Sequence, residues 1–141
     1  RMEVYVNTPE QVYIDDYAHH PEELRATIES LRGIFPDRKI LAVFQPHLYT
    51  RTRDFYKDFA DALSLLDDVV ICDIYPAREE PIPGVTSQLI YDNLRPGIQK
   101  QMCSKEDILK HVNRDEFDVL VTLGAGDIEN FAHDITNLLS C

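Results

Sequence analysis

The chain has 141 residues, and its hydrophobic fraction of 44% is enough for the core of one ordinary domain. Its formal net charge is −11, from 25 acidic and 14 basic residues. This balance argues against nucleic-acid and anionic-membrane partners, because binding to either needs a basic face. The N-terminus shows no signal-peptide pattern and no apolar run approaches the roughly 18 residues of a membrane span, so we expect a cytoplasmic protein.

The cysteines favour a reducing compartment. They are Cys72, Cys103 and Cys141, an odd and sparse set without metal-ligand or disulfide spacing. Cys72 lies in an apolar run, where it is expected to be a small buried hydrophobic residue. The chain begins at Arg1 rather than at methionine, so we expect it to be a piece of a longer protein.

The first predicted elements are two short strands at residues 4–6 and 12–14, which indicate a hairpin. Pro21 begins a helix with an acidic first turn, and Gly33 ends it. Continuous apolar runs at 40–44, 69–72 and 119–123 are typical of strands buried on both faces, and residues 98–103 are a weaker, polar strand candidate.

Helices are predicted between these strands, at 55–66, 86–94, from Ser104 onward and at 128–138, with Phe55, Leu109 and Leu138 on inward faces. The alternation of strands and helices predicts one α/β domain over residues 1–141. We expect a mostly parallel, Rossmann-like sheet with helices on both faces and a short N-terminal hairpin.

The unusual loops all follow strands, at residues 15–20, 45–53, 75–84 and 124–127. Connections that return from helix to strand, such as residues 36–39, carry no such chemistry. In open parallel sheets, ligands bind beyond the carboxyl ends of the strands. The asymmetry therefore predicts a binding edge.

The first of these loops contains two aspartates, a tyrosine and two histidines. Asp15 or Asp16 could accept a hydrogen bond from a ribose hydroxyl or hold a magnesium-bound water, or could simply form an Asx turn. Tyr17 could stack on a base or be half-buried. The adjacent His19 and His20 lack zinc spacing, and one could bind while the other packs or caps a helix.

The second loop leads into a helix with Arg51 and Arg53 near its start, where positive charge opposes the helix dipole. A bound anion would remove this conflict, although the arginines could also be solvated. Thr50 or Thr52 could be the N-cap residue of this helix, and the other could still donate to a ligand.

Gly124 and Gly126 lack the third glycine of a dinucleotide fingerprint and favour a tight turn. The sequence also contains no Gly-x-x-x-x-Gly-Lys-Ser/Thr phosphate loop.

Four motifs together resemble a known family. They are Asp-Asp-Tyr-Ala-His-His-Pro at 15–21, Phe-Gln-Pro-His-Leu-Tyr-Thr-Arg-Thr-Arg at 44–53, Tyr-Pro-Ala-Arg-Glu-Glu-Pro-Ile-Pro-Gly at 75–84 and Leu-Gly-Ala-Gly-Asp-Ile at 123–128. In this order they closely resemble the carboxyl-terminal domain of the Mur ligases of peptidoglycan synthesis. The resemblance implies two partner domains in the same chain, an N-terminal UDP-sugar domain and a central ATPase domain.

The resemblance also implies roles for individual residues. Arg1, Asp16 and Tyr17 would contact ATP, while His19 and Arg51 would position the incoming amino acid. The remaining pocket candidates are His20, His47, Thr50, Arg53 and Arg78. No direct metal ligand is implied in this domain, and Asp16 would act on magnesium only through water. Leu48 stands where many relatives have arginine, so Arg51 must suffice or Arg53 or Arg78 must compensate.

The implied reaction is the ATP- and magnesium-dependent joining of L-alanine to UDP-N-acetylmuramate, with this domain closing over the central ATPase domain. The isolated domain is expected to be inactive and to bind no cofactor tightly. Two alternatives stay open. One is the related ligase that recycles a murein tripeptide, and the other is a stand-alone nucleotide-binding module.

Overall fold

A computed structural model describes residues 2–140. Its sheet has six strands, β1 to β6: Met2–Asn7, Val12–Asp16, Ile40–Phe44, Asp68–Cys72, Gln99–Cys103 and Val119–Leu123. The α-helices α1 to α4 are Pro21–Ile34, Tyr49–Leu63, Gln88–Asp92 and Ala132–Leu139. Three 3₁₀ helices span Lys105–His111, Arg114–Glu116 and Asp127–Phe131.

The strand order is β1-β2-β6-β3-β4-β5. Strand β1 pairs antiparallel with β2, and the other pairs are parallel. The predicted α/β class, with its N-terminal hairpin, is therefore confirmed. In the register of the three central strands, Leu123 lies opposite both Asp16 and Phe44. The loops that follow β2, β3 and β6 consequently begin side by side.

Helices cover both faces of the sheet, as predicted. On one face α1, α2 and α3 bury a core that includes Leu24, Phe44 and Leu63. On the other face, α4 and the 3₁₀ helix Lys105–His111 contribute Ile135 and Ile108 to a second core. Among residues 2–140, no helix combines the length and apolar character needed to cross a membrane.

Three inward-facing predictions were wrong. Phe55, Leu109 and Leu138 are 41%, 37% and 40% exposed. The segment after Ser104 is a 3₁₀ helix, so Leu109 lies about 120° around the axis from the buried Ile108. In α4, Leu138 is rotated by about 100° from the buried Leu139.

The predicted burial of Cys72 is confirmed, since its side chain has no exposed surface. Its neighbour across the β4–β5 pair is Cys103, whose Sγ is 3.9 Å from that of Cys72. The hydrogen bond with Cys103, and then burial, raise the pKa of the Cys72 thiol. Cys141 lies outside the described residues.

Candidate functional site

Three loops meet beyond the carboxyl ends of the strands. The loops after β3 and β4 are joined by two backbone hydrogen bonds of 2.8 Å, from Tyr75 N to Pro46 O and from Leu48 N to Tyr75 O. The His47 ring lies 5.3 Å from that of Tyr75 and 5.8 Å from that of His19 (centroid distances). His19 comes from the loop after β2. The predicted gathering of these loops at one edge is therefore present in the structure.

Asp16 holds the first of these loops in place. It is 2% exposed, and its Oδ1 accepts a hydrogen bond from Ala18 N at 2.9 Å. Its Oδ2 accepts one from the Thr27 hydroxyl of α1 at 2.8 Å. This is the Asx-type turn left open as an alternative, because the carboxylate fixes the backbone two residues on. Tyr17, by contrast, is 53% exposed.

Asp15 faces a different part of the protein. Its Oδ1 accepts a hydrogen bond from the Thr122 hydroxyl, which is 3.0 Å from the hydroxyl of Tyr13. Burial raises the pKa of Asp15. This polar group therefore belongs to the second core rather than to the loop cluster.

The two adjacent histidines separate in role. His20 is exposed and is the N-cap residue of α1, so it takes the capping role considered from the sequence. Glu23 Oε1 accepts the backbone N–H groups of His20 at 3.1 Å and His19 at 3.2 Å, and these contacts lower the pKa of Glu23. The His19 Nδ1 lies 2.9 Å from Tyr17 O, and its ring faces His47.

Helix α2 begins earlier than the predicted threonine caps. Its N-cap residue is Leu48, so neither Thr50 nor Thr52 caps it. Leu48 has φ 76° and ψ 137°, a sparsely populated positive-φ conformation that costs a non-glycine residue on the order of 1–3 kcal/mol. Its conformation is held by the bond to Tyr75 O and by Thr52, whose hydroxyl donates to Leu48 O at 2.9 Å. Strain maintained by its surroundings is typical of functional sites.

The anion expected at the start of α2 is supplied by the protein. Glu79, from the loop after β4, accepts the backbone N–H groups of Tyr49 and of Thr50, the latter at 3.1 Å. The Thr50 hydroxyl donates to Glu79 Oε2 at 2.5 Å. These donors, the hydroxyl first, hold the pKa of Glu79 below its ordinary value.

Arg51 and His47 leave polar atoms without partners. Arg51 Nη1 and His47 Nδ1 are both buried, and neither has a hydrogen-bond partner among the described residues. Buried polar groups are normally satisfied, so each exception calls for an explanation. Burial, and then the positive charge of Arg51, lower the pKa of His47. The lowered pKa favours the neutral imidazole of His47 beside the Arg51 guanidinium.

The structure does not bring the remaining cations into this cluster. Arg53 is exposed and pairs with the neighbouring Asp54 at 2.9 Å. Arg78 is exposed, and no hydrogen bond or ion pair links it to the cluster among residues 2–140. Arg1 lies outside the described residues. Arg51 is therefore the cation that the described cluster contains.

Gly124 and Gly126 allow the last loop to pack against the cluster. A Cβ at Gly126 would lie 2.5 Å from Cγ of Tyr75 and 2.6 Å from Oε1 of Gln45. Gln45 also donates to Asp127 Oδ1 at 2.7 Å and accepts from Ile128 N at 3.1 Å. The tight-turn interpretation of these glycines is confirmed.

Sequence reasoning missed the contribution of Glu79 and Gln45. Both lie in motifs that were singled out, but their contacts cross 29 and 82 residues of chain respectively. The dipole conflict at Arg51 was the one usable signal, since it predicted a nearby negative group without saying whether the protein or a ligand provides it.

An acidic groove lies next to the cluster. It encloses about 610 Å³ between the start of α1 and α2, and its lining includes Glu22, Glu23, Phe55, Asp58 and Asp61. These four carboxylates outnumber the one arginine of the lining, Arg25, so the groove disfavours an anionic ligand and the Arg51 side is the better anion site. Residues 2–140 contain no group of three or more His, Cys, Asp or Glu side chains that could hold a metal ion.

Comparison with known proteins identifies the family. Residues 1–126 match the family model described as Mur ligase, glutamate ligase domain. The chain is 59% identical over 140 residues to the UDP-N-acetylmuramate–L-alanine ligase of Phocaeicola vulgatus, covering 99% of the chain and 31% of that protein. It is 48% identical over 139 residues to the enzyme of the same name from Parabacteroides distasonis, covering 99% and 30%.

The fold also matches a solved structure, the UDP-N-acetylmuramate-alanine ligase of Thermotoga maritima. The TM-score is 0.77 at 28% identity, and the match covers 97% of this chain and 29% of that one. The chain therefore spans about 30% of the length of the curated relatives described above.

Proposed function

Because this chain belongs to the Mur ligase family, we propose that it is the carboxyl-terminal domain of an ATP-dependent ligase that joins L-alanine to UDP-N-acetylmuramate in peptidoglycan synthesis. The relatives named for this reaction support the proposal, since they match almost the whole chain at 59% and 48% identity. On this proposal the UDP-sugar and ATPase domains lie in the remainder of the protein.

The observation that carries the proposal is the pair of unsatisfied atoms at the carboxyl edge. Arg51 Nη1 and His47 Nδ1 are buried without partners in the part of the chain that the structure describes, and His19 lies beside His47. A free amino acid offers a carboxylate, which matches a guanidinium in charge and geometry. Arg51 thus binds the carboxylate of L-alanine, and His47 and His19 orient the amino acid.

The nucleotide side of the proposal rests on the loop after β2. Tyr17 is 53% exposed and can pack against the adenine of ATP, while Asp16 keeps this loop in position through Ala18 and Thr27. Arg1 is proposed to reach the phosphates, as the family resemblance implies.

Magnesium does not fit these residues as a directly bound ion. Both carboxylate oxygens of Asp16 already accept hydrogen bonds from the protein, and residues 2–140 offer no cluster of three ligands. Asp16 is suited at most to a magnesium-bound water, so we place the metal ligands in the rest of the ligase.

In the proposed reaction, the muramate carboxylate attacks the γ-phosphorus of ATP, which releases ADP and forms an acyl phosphate. The amine of L-alanine then attacks the acyl carbon, forming the amide as inorganic phosphate leaves and the amine loses a proton. The contribution of this chain is positional: it holds the amino acid in reach and, on closing over the ATPase domain, excludes water that would hydrolyse the acyl phosphate. Such closure is a common way for an enzyme to commit its substrate.

The test is a substrate assay of the full-length protein that contains this chain. Phosphate release is measured with ATP and UDP-N-acetylmuramate, offering L-alanine or the murein tripeptide L-alanyl-γ-D-glutamyl-meso-diaminopimelate. The proposal predicts turnover with L-alanine. Turnover with the tripeptide alone would support the recycling ligase, and ATP binding without ligation of either would support a nucleotide-binding module.

A further inference from the structure

The first turn of α2 receives little stabilisation from its own side chains. The N-cap residue Leu48 has no side-chain oxygen, and the first turn contains no acidic residue. Arg51 adds positive charge where the N-terminal end of the helix dipole is already positive. The first N–H groups of a helix need acceptors from elsewhere. A group outside the helix must therefore stabilise the turn that carries Arg51.

Glu79 is that group. Its carboxylate accepts three hydrogen bonds from this turn, from Tyr49 N, Thr50 N and the Thr50 hydroxyl. Glu79 lies 29 residues from Thr50 in the sequence. Its hydrogen bonds therefore link two separate loops of the candidate site, unlike those of a local N-cap residue.

The loop that carries Glu79 is itself held in place. Glu79 N donates to Pro76 O at 2.8 Å in a tight turn that places Ala77 at φ 53°. Tyr75, which directly precedes Pro76, is anchored to Pro46 and Leu48 by the two backbone hydrogen bonds between the loops. The carboxylate is thus presented to α2 from a fixed support.

We infer that Glu79 is a positioning residue for the amino-acid substrate: its carboxylate fixes the first turn of α2 and thereby the placement of Arg51 against His47. This inference rests on the proposed function, because it assigns Arg51 to the carboxylate of L-alanine. Glu79 itself does not touch the substrate. Its charge also offsets the dipole of α2, which leaves the Arg51 guanidinium for the ligand.

The chain supplies a matched control. Glu80 is the same residue type in the same loop, and its side chain is exposed. Replacing either glutamate by alanine removes one negative charge at nearly the same place. Only Glu79→Ala removes the acceptor at the start of α2, so a general electrostatic effect would appear in both variants.

The experiment compares Glu79→Ala, Glu79→Gln and Glu80→Ala in the full-length ligase. Because charge-assisted hydrogen bonds are lost, Glu79→Ala is expected to raise the KM for L-alanine about tenfold or more, with the KM for UDP-N-acetylmuramate within about twofold of wild type. Glu79→Gln retains an amide oxygen that can accept from the two N–H groups, so its KM should rise less. Glu80→Ala should match wild type.

Chemical rescue separates positioning from general damage. In Glu79→Ala the start of α2 becomes an open anion site, so added sodium formate should lower the raised KM for L-alanine about threefold or more, and sodium chloride at equal ionic strength should not. Because formate can also compete with the L-alanine carboxylate at Arg51, rescue is measured as a fall in the alanine KM of Glu79→Ala relative to that of Glu80→Ala at the same formate concentration. If Glu79→Ala does not yield soluble enzyme, the raised KM of Glu79→Gln carries the test.

Two outcomes would overturn the inference. One is an alanine KM in Glu79→Ala, or in Glu79→Gln when only that variant is soluble, that equals the wild-type value. The other is a uniform loss of activity toward all substrates with no response to formate. A wild-type protein that ligates no L-alanine would instead overturn the proposed function, so the two failures are distinguishable.

Discussion

Arginines at the two ends of the parallel strands have opposite roles. We call the end where these strands begin the amino edge and the end where they finish the carboxyl edge. At the amino edge, Arg32 donates to Leu65 O at 3.1 Å and pairs with Asp67 at 2.8 Å. Arg95 likewise donates to the carbonyls of Ser64 and Leu66 at 2.7 and 2.9 Å. At the carboxyl edge, Arg51 Nη1 is buried and has no hydrogen-bond partner within residues 2–140.

The difference shows which edge is complete. The amino-edge arginines satisfy carbonyl groups just beyond the end of α2, where cations are favourable. Arg32 uses Nε, Nη1 and Nη2, and Arg95 uses Nε and Nη2, on groups of the protein itself. At the carboxyl edge, Arg51 Nη1 and His47 Nδ1 have no partner among residues 2–140, and we propose that the amino-acid substrate binds there.

The largest expected effect concerns the completeness of the carboxyl edge as a catalytic site. The 141-residue chain alone should show no ligation of L-alanine to UDP-N-acetylmuramate, because its sequence contains no phosphate loop. Product formation is followed by mass spectrometry beside the full-length protein. Ligation by the chain alone would mean that this edge is a whole active site rather than part of one.

The next effect separates two aspartates at opposite edges. Asp16→Ala should reduce the free energy of unfolding of the 141-residue chain by about 2–4 kcal/mol, because a buried carboxylate loses its bonds to Ala18 N and Thr27. Asp118→Ala, at the amino edge, removes a half-buried acceptor 2.9 Å from Lys39 N and should cost about 1 kcal/mol. Urea unfolding measures both. Equal losses of unfolding free energy in the two variants would show that the greater burial of Asp16 does not increase its contribution to stability.

Two glycines allow the packing at the carboxyl and amino edges to be compared. Gly126→Ala should destabilise the chain by about 1–3 kcal/mol, because its Cβ would overlap Tyr75 and Gln45. Gly33→Ala, near the amino-edge end of α1, has nothing within 4 Å of the new Cβ and should stabilise the helix by about 0.5–1 kcal/mol. Thermal unfolding of both variants checks the opposite signs. A neutral Gly126→Ala would contradict the close packing of the last loop.

The smallest expected effect is a pH dependence at His47. Burial, Arg51 and His19 lower the pKa of His47 in the folded chain below its ordinary value of 6.5. Between the folded and unfolded pKa values the unfolded chain binds more protons, so this contribution to stability is complete above pH 6.5. It is lost as the pH falls through the folded-state pKa.

The measurement is the difference in unfolding free energy between wild type and His47→Gln from pH 8 to pH 5. The comparison cancels titrations that both proteins share, including that of Asp15. The advantage of wild type over the variant should shrink as the pH falls. An advantage that grows toward low pH would mean that His47 gains a negative partner on folding.

The strands were predictable because a doubly covered strand must be continuously apolar. Residues 40–44 and 119–123 are strands at the predicted bounds, and residues 99–103 form the more polar edge strand. Which side chains face the core was less predictable where a helix departs from the assumed 3.6-residue period, as at Leu109.

The site was predictable as a set of loops but not as a set of contacts. Each loop followed a buried strand and carried reactive side chains, and parallel strands place such loops at one edge. Which polar groups pair within the cluster depends on three-dimensional proximity, and Glu79 and Thr50 are far apart in sequence. The protein therefore satisfies its own helix end while leaving Arg51 available, a division that composition and spacing do not contain.

One measurement tests the central claim most directly, namely that the carboxyl edge binds the amino acid and the amino edge only stabilises the fold. Arg51→Ala and Arg32→Ala are compared in the full-length ligase for the KM of L-alanine. The free energy of unfolding of each variant chain is the second measurement. Losing a charge-assisted contact of about 1.5–3 kcal/mol should raise the alanine KM of Arg51→Ala roughly 10- to 150-fold with little change in stability. Arg32→Ala should lose about 1 kcal/mol of stability and keep its KM. An unchanged alanine KM in Arg51→Ala would contradict the account.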